Sequence, residues 1–180
     1  MKNTVKILGI SGSLRNNSSN TNILKTISDL LPERVDFTIF DQLHLIPPFN
    51  PGDEENHVVK SLKSVISFAD GVIISTPEYA YGVPGVLKNA LDWTVSSGEF
   101  NEKPVSAISA SPLNSGGDKA LASLLLTLTA LGTKRNEHSS LSIPNIKMKS
   151  DSDGILRDDL TIAALRDQIG NLLKIIDSNS

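Results

Sequence analysis

An open α/β fold is what this chain predicts: a five-stranded parallel sheet, doubly wound in the order 2-1-3-4-5, as a three-layer sandwich. Two observations lead there. Short β-rich runs alternate with longer stretches of helical spacing, five times over in 180 residues. Such alternation implies parallel strands joined by right-handed crossovers, and five units are too few for an eight-unit barrel. No repeat, low-complexity segment or linker divides the chain, so residues 1–180 are read as one domain.

The elements follow in order. "TVKILGIS" (Thr4–Ser11) reads as a buried strand, and "NTNILKTISDLL" from Asn20 as a helix with Ile23, Ile27, Leu30 and Leu31 on one face. "VDFTIF" (Val35–Phe40) alternates as a second strand, and "HVVKSLKSVISFA" has helical spacing at Val58, Leu62, Val65 and Ile66. "GVIIST" (Gly71–Thr76) is a third strand. "VPGVLKNALDWTVSS" then forms a helix, with Pro84 in its first turn and Val86, Leu87, Ala90 and Leu91 on one face. "PVSAISAS" (Pro104–Ser111) is a fourth strand, followed by a helix from Asp118 that stops near Gly132. A fifth strand lies within "KRNEHSSLSIP", and the last helix carries a stripe of Leu160, Ala164, Ile169 and Leu172. "SSGEFNEK" (Ser96–Lys103) and "KMKSDSDG" (Lys147–Gly154) read as surface loops.

Composition narrows the function. A hydrophobic share of 39% with 21% charged residues fits a chain that folds around a core. The net charge of −3 argues against nucleic acid as a partner, which wants a basic face. The chain has no cysteine, which excludes disulfides, thiolate metal sites and thiol catalysis. His44, His57 and His138 lack paired metal-ligand spacing, so no metal is expected. Val5–Ile10 is too short for a signal core or a membrane span, so a cytoplasmic protein with no membrane partner is expected.

Ligands of such sheets bind beyond the carboxyl ends of the strands, near the point where strand order reverses. Three loops there have unusual composition. "SGSLRNNSSNT" (Ser11–Thr21) combines glycine, four serines and Arg15 with the start of a helix at Asn20 or Thr21. Backbone N–H groups, hydroxyls and a guanidinium suit a phosphate. A polar helix cap is the alternative, but a cation at a helix N-terminus is unfavourable unless an anion sits between them. Neither G-x-G-x-x-G nor G-x-x-x-x-G-K-[ST] is present, so a phosphate monoester fits better than a pyrophosphate. "PEYAYG" holds both tyrosines of the chain, Tyr79 and Tyr81, which could face a planar ligand or cover an apolar edge or a subunit contact. "SASPLNSGGDKA" (Ser109–Ala120) allows close backbone approach to a ligand, or is an ordinary glycine-bearing loop. Together the loops describe a phosphate on the first and a planar ring between the other two.

"GISGSLRNNSSN" is similar to the motif G-S-L-R-x-x-S-x-N of the NADPH-dependent FMN reductase family. "TPEYAYGVPGVLKNALDW" resembles that family's T-P-E-Y-N-Y-S-I-P-G-x-L-K-N-A-L-D-W over nearly its full length, and "FDQLHLIPPFNPGDEE" its segment after the second strand. The resemblance covers Val5 to Ala120 well and implies a flavodoxin-like fold with FMN as cofactor. It implies Ser13, Arg15, Ser18 and Asn20 at the phosphate, and Pro77, Glu78, Tyr79, Ala80, Tyr81 and Gly82 along the ring. Ser111, Gly116 and Gly117 would close the other edge.

NADPH or NADH would deliver hydride, and a small-molecule electron acceptor (a quinone, an azo compound, a metal ion or free flavin) would then collect the electrons. The flavin would carry the chemistry with no catalytic side chain. Family members are commonly homodimers or homotetramers, so the resemblance implies such an assembly, with Gln42–Glu55 or the surroundings of Trp93 as places for the contact. Three departures stand out. Ala80 replaces asparagine and Gly82 replaces serine, which removes side-chain contacts near the ring, and "ASLLLTLTALG" lacks an arginine often found there. Two alternatives stay open: a flavin-binding electron carrier or redox sensor without NAD(P)H turnover, and a phosphate-ligand enzyme that uses no flavin.

Overall fold

The strands sit in one parallel sheet in the order β2-β1-β3-β4-β5. The computed structural model describes residues 4–52 and 55–178. The strands are β1 (Val5–Ser11), β2 (Val35–Phe40), β3 (Gly71–Thr76), β4 (Val105–Ala110) and β5 (Ser140–Ile143). The helices are α1 (Ser19–Leu30), α2 (His57–Phe68), α3 (Gly85–Asp92), α4 (Asp118–Ala130) and α5 (Asp159–Asp177). Short 3₁₀ turns lie at Leu43–Leu45 and Ile146–Met148. The fold class and strand order match the expectation from the sequence.

The central strands are buried on both faces, and alternation within each strand builds two cores. Leu8, Ile10, Val72, Ile74, Val105 and Ala107 face α2, α3 and α4. Val5, Ile7, Ile73, Ile108 and Ala110 face α1 and α5. β1 is paired in register on both sides, with Ile10 opposite Phe40 and also opposite Ile74. The strand ends are thereby level, which puts the loops after β1, β3 and β4 along one edge.

Local details differ from the sequence reading, each for a physical reason. Helix α1 starts at Ser19 because Ser18, in extended backbone, accepts a hydrogen bond from the Asn20 N–H at 3.2 Å and caps it. Pro84 caps α3 instead of opening its first turn, and α3 stops at Asp92, where the Thr94 hydroxyl turns back onto the Leu91 carbonyl at 2.7 Å. Leu160 is 82% exposed; the buried face of α5 runs through Thr161, Leu165, Gln168, Ile169, Leu172 and Ile176. Ser96–Lys103 is not wholly a surface loop, since Phe100 is fully buried against the α2–α4 core.

Trp93 is 1% exposed and belongs to its own chain's interior. Its indole N–H donates to the Pro47 carbonyl at 2.9 Å, and Phe49 packs edge-on to it at 5.1 Å between centroids. Asn89 adds two bonds, donating to the Pro47 carbonyl at 2.8 Å and accepting from the Phe49 N–H at 2.7 Å. The end of the tyrosine motif thus clamps the loop after β2. Asp53 and Glu54, within the stretch considered for a subunit contact, lie outside the described residues.

The burial of Phe100 gives a direct check. Phe100→Ala should lower stability by about 3–5 kcal/mol, whereas Leu160→Ala should stay within about 0.5 kcal/mol. Urea unfolding of both variants measures the contrast.

Candidate functional site

At the carboxyl edge of the sheet the loops after β1, β3 and β4 enclose a cleft of about 350 Å³. Its walls include Ser13, Arg15, Ser18 and Asn20 from the first loop, Pro77, Glu78 and Tyr79 from the second, and Ser111 from the third. Cleft volume and wall chemistry are in the range of small-molecule sites.

The first loop is held from below. The Gly12 N–H donates to the Ser75 carbonyl at 2.8 Å, and the Ser11 and Thr21 hydroxyls bond at 2.8 Å. Asn20 is buried and bridges three strands' ends: its Oδ1 accepts from the Ser75 hydroxyl at 2.9 Å and its Nδ2 donates to the Ala110 carbonyl at 3.4 Å. Asn20 therefore positions the loop, and its Nδ2 keeps a second N–H beyond the bond to Ala110. Asn17 adopts φ 55°, a left-handed geometry that asparagine tolerates, and turns the chain into α1.

The N–H groups of Asn16, Asn17, Ser18 and Ser19 find no acceptor among the described residues. The Ser13 oxygen accepts from the Arg15 N–H and the Ser18 oxygen from the Asn20 N–H, so each hydroxyl keeps its proton for another partner. Arg15 has no ion pair among the described residues. A run of open donors at a helix start, two hydroxyl protons and a guanidinium fit a phosphate group. On this donor set the cleft fits FMN.

The second loop is a two-residue hairpin. Tyr79 and Gly82 exchange backbone hydrogen bonds, both at 3.0 Å, across Ala80 and Tyr81. Both central residues have positive φ, 49° at Ala80 and 61° at Tyr81, the requirement of a type I′ turn. Position 80 is thus a backbone position. Asparagine suits it because it tolerates left-handed geometry, whereas alanine does so with strain. Tyr79 lines the cleft; Ala80, Tyr81 and Gly82 do not, and Tyr81 is 80% exposed at the tip.

Glu78 has a second task that its sequence position does not reveal. One carboxylate oxygen accepts from the Lys119 N–H at 2.9 Å and the Ala120 N–H at 3.0 Å. It caps α4 from another loop, because the N-cap residue Gly117 has no side chain to do so. Gly116 and Gly117 do not line the cleft. Both have positive φ, and a Cβ on Gly116 would strike the Ser142 hydroxyl and the Pro144 backbone. Their role is to bring the start of α4 against Glu78.

Several lining residues escaped the sequence reading: Asn17, Ser19 and Leu113, with Ile146 and Lys147 from the turn after β5. The signal for the last two was weak because β5 spans only Ser140–Ile143 and could not be placed in advance. His44, His57 and His138 line no part of this cleft. Among the described residues no cluster of three acidic, histidine or cysteine side chains could hold a metal, and no helix is long and apolar enough to cross a membrane.

Comparison with known proteins points the same way. Residues 5–147 match the family described as NADPH-dependent FMN reductase. The chain is 32% identical over 177 residues to an NAD(P)H-dependent FMN reductase of Pseudomonas aeruginosa, covering 94% of each chain. It is 33% identical over 130 residues to an NADPH azoreductase of a Bacillus strain, covering 71% of this chain and 70% of that one. Among solved structures, the flavoenzyme FerB of Paracoccus denitrificans, an NAD(P)H:(acceptor) oxidoreductase, superposes with a TM-score of 0.87 at 27% identity. That match covers 97% of this chain and 98% of FerB.

The hairpin and its tether make two checkable expectations. Glu78→Ala should cost about 1–2 kcal/mol by uncapping α4. Ala80→Asn should stabilise by about 0.5–1 kcal/mol by relieving left-handed strain. Thermal unfolding followed by circular dichroism reads both signs.

Proposed function

The chain belongs to the NADPH-dependent FMN reductase family, and from that premise we propose how its residues serve the reaction and which acceptors it takes. It is an NAD(P)H-dependent flavin oxidoreductase with FMN as its cofactor. When bound, FMN supplies the redox chemistry, taking hydride from NAD(P)H and passing electrons to an acceptor.

The protein's part is binding and orientation. The N–H groups of Asn17–Ser19, the hydroxyls of Ser13 and Ser18, and Arg15 would hold the phosphate. Pro77, Glu78 and Tyr79 would flank one edge of the ring, with Ser111 and Leu113 at the other. The tether from Glu78 to α4 keeps the hairpin at a fixed distance from the third loop, so the ring slot has a set width. Tyr79 is 47% exposed, which leaves an aromatic face for a planar acceptor to lie against. Quinones and azo compounds are the acceptor classes we assign, supported by the azoreductase relative and by a quinone reductase of Escherichia coli, 34% identical over 97 residues.

We extend the proposal to a homodimer or homotetramer. The exposed apolar side chains of Tyr79, Tyr81, Leu113 and Met148 support this, since Tyr79 and Leu113 line the cleft and Met148 adjoins its wall residue Lys147. A cytoplasmic location belongs to the same proposal, because the reaction draws on NAD(P)H.

The observation that carries the assignment of residues is the run of open N–H donors beside Arg15. Arg15→Ala should weaken FMN binding by about 1.5–3 kcal/mol, read by flavin fluorescence titration; unchanged affinity would remove Arg15 from the site. Visible spectra of the wild-type protein with FMN, then with NADPH without oxygen, test turnover. Bleaching is expected, and a flavin that stays yellow would instead support an electron carrier.

A further inference from the structure

We infer that Lys147 is a second phosphate-binding cation of the cleft and sets its preference for phosphorylated ligands; the inference rests on reading the cleft as the FMN site. Three observations carry it.

The first is placement. The turn Ile146–Met148 is pinned to the third loop: the Ile146 N–H donates to the Ser111 carbonyl at 3.1 Å and the Asn145 N–H to the Leu113 carbonyl at 3.2 Å. Ile146 is buried, and the Ser150 hydroxyl donates to its carbonyl at 3.0 Å. The segment beyond is tied to the phosphate loop, since Asn22 Nδ2 donates to the Gly154 carbonyl at 3.1 Å and to Asn17 Oδ1 at 2.9 Å. Lys147 therefore enters the cleft wall, shared with Ser13, Arg15 and Ser18, from a fixed backbone.

The second is availability. Lys149, two residues on, is engaged with the Thr161 hydroxyl at 2.8 Å and with Asp158 at 3.4 Å. Lys147 has no hydrogen bond or ion pair among the described residues.

The third is charge. Glu78 is the one acid lining the cleft among the described residues, and its carboxylate caps α4. Arg15, Lys147 and the positive end of α1 thus face one cleft with no free carboxylate between them. A phosphate monoester carries about −1.5 to −2 at neutral pH. Arg15 balances about half of that, and Lys147 balances the remainder. Two sources present such a group here: the 5′-phosphate of FMN and the 2′-phosphate of NADPH.

The test compares FMN with riboflavin, which differ only by the phosphate, in fluorescence titrations of the wild type, Lys147→Gln and Lys147→Arg. The Gln variant should lose about fivefold to tenfold of the preference for FMN, and the Arg variant should keep it. The loss should shrink at high salt. If the FMN preference is intact but the ratio of kcat/KM for NADPH over NADH falls by a similar factor, the 2′-phosphate is the group bound. A Gln variant that keeps both preferences, or that weakens FMN and riboflavin equally, overturns the inference while leaving the cleft's assignment standing. A wild type that holds FMN no better than riboflavin overturns both.

Discussion

Backbone N–H groups that a helix cannot satisfy for itself are the constraint on which this site depends. Two helices, α1 and α4, begin at the same carboxyl edge of the sheet, and each brings unpaired donors to it. The donors of α4 are taken by Glu78, a carboxylate from the loop after β3. Those of Asn16–Ser19 at the start of α1 have no partner among the described residues. One helix start is closed by the protein, and the open donors of the other are those we propose an anion takes.

The rest of the structure serves to hold these two ends in register. Parallel pairing levels the strand ends, so three loops meet. Asn20 then joins the first loop to Ser75 and to the Ala110 carbonyl, across the ends of β1, β3 and β4. Trp93 and Asn89, at the end of α3, fasten the loop after β2 through its Pro47 carbonyl. Much of the long tyrosine motif is therefore architecture. Its aromatic residue at the far end is buried, its glutamate is a helix cap, and its central pair is a turn; Pro77, Glu78 and Tyr79 form wall.

Electrostatics completes the picture. A protein with a net charge of −3 nonetheless gathers Arg15, Lys147 and a helix N-terminus around one cleft. Local placement, not overall balance, sets what such a site attracts.

The sequence by itself determined the fold class, the strand order and the three loops after β1, β3 and β4, because hydrophobic periodicity and glycine, proline and serine punctuation are local properties. It also pointed to Ser13, Arg15, Ser18, Tyr79 and Ser111, all in the cleft wall. Tertiary structure alone decided three things. It gave Glu78 to α4, which requires residues 41 positions apart to meet. It placed Ala80 in a left-handed turn closed by Tyr79 and Gly82. It brought Lys147, on the turn after β5, into the same cleft wall as Arg15. Each depends on contacts distant in sequence or on a backbone conformation that the surrounding packing imposes, and neither leaves a periodic trace for local reasoning to read.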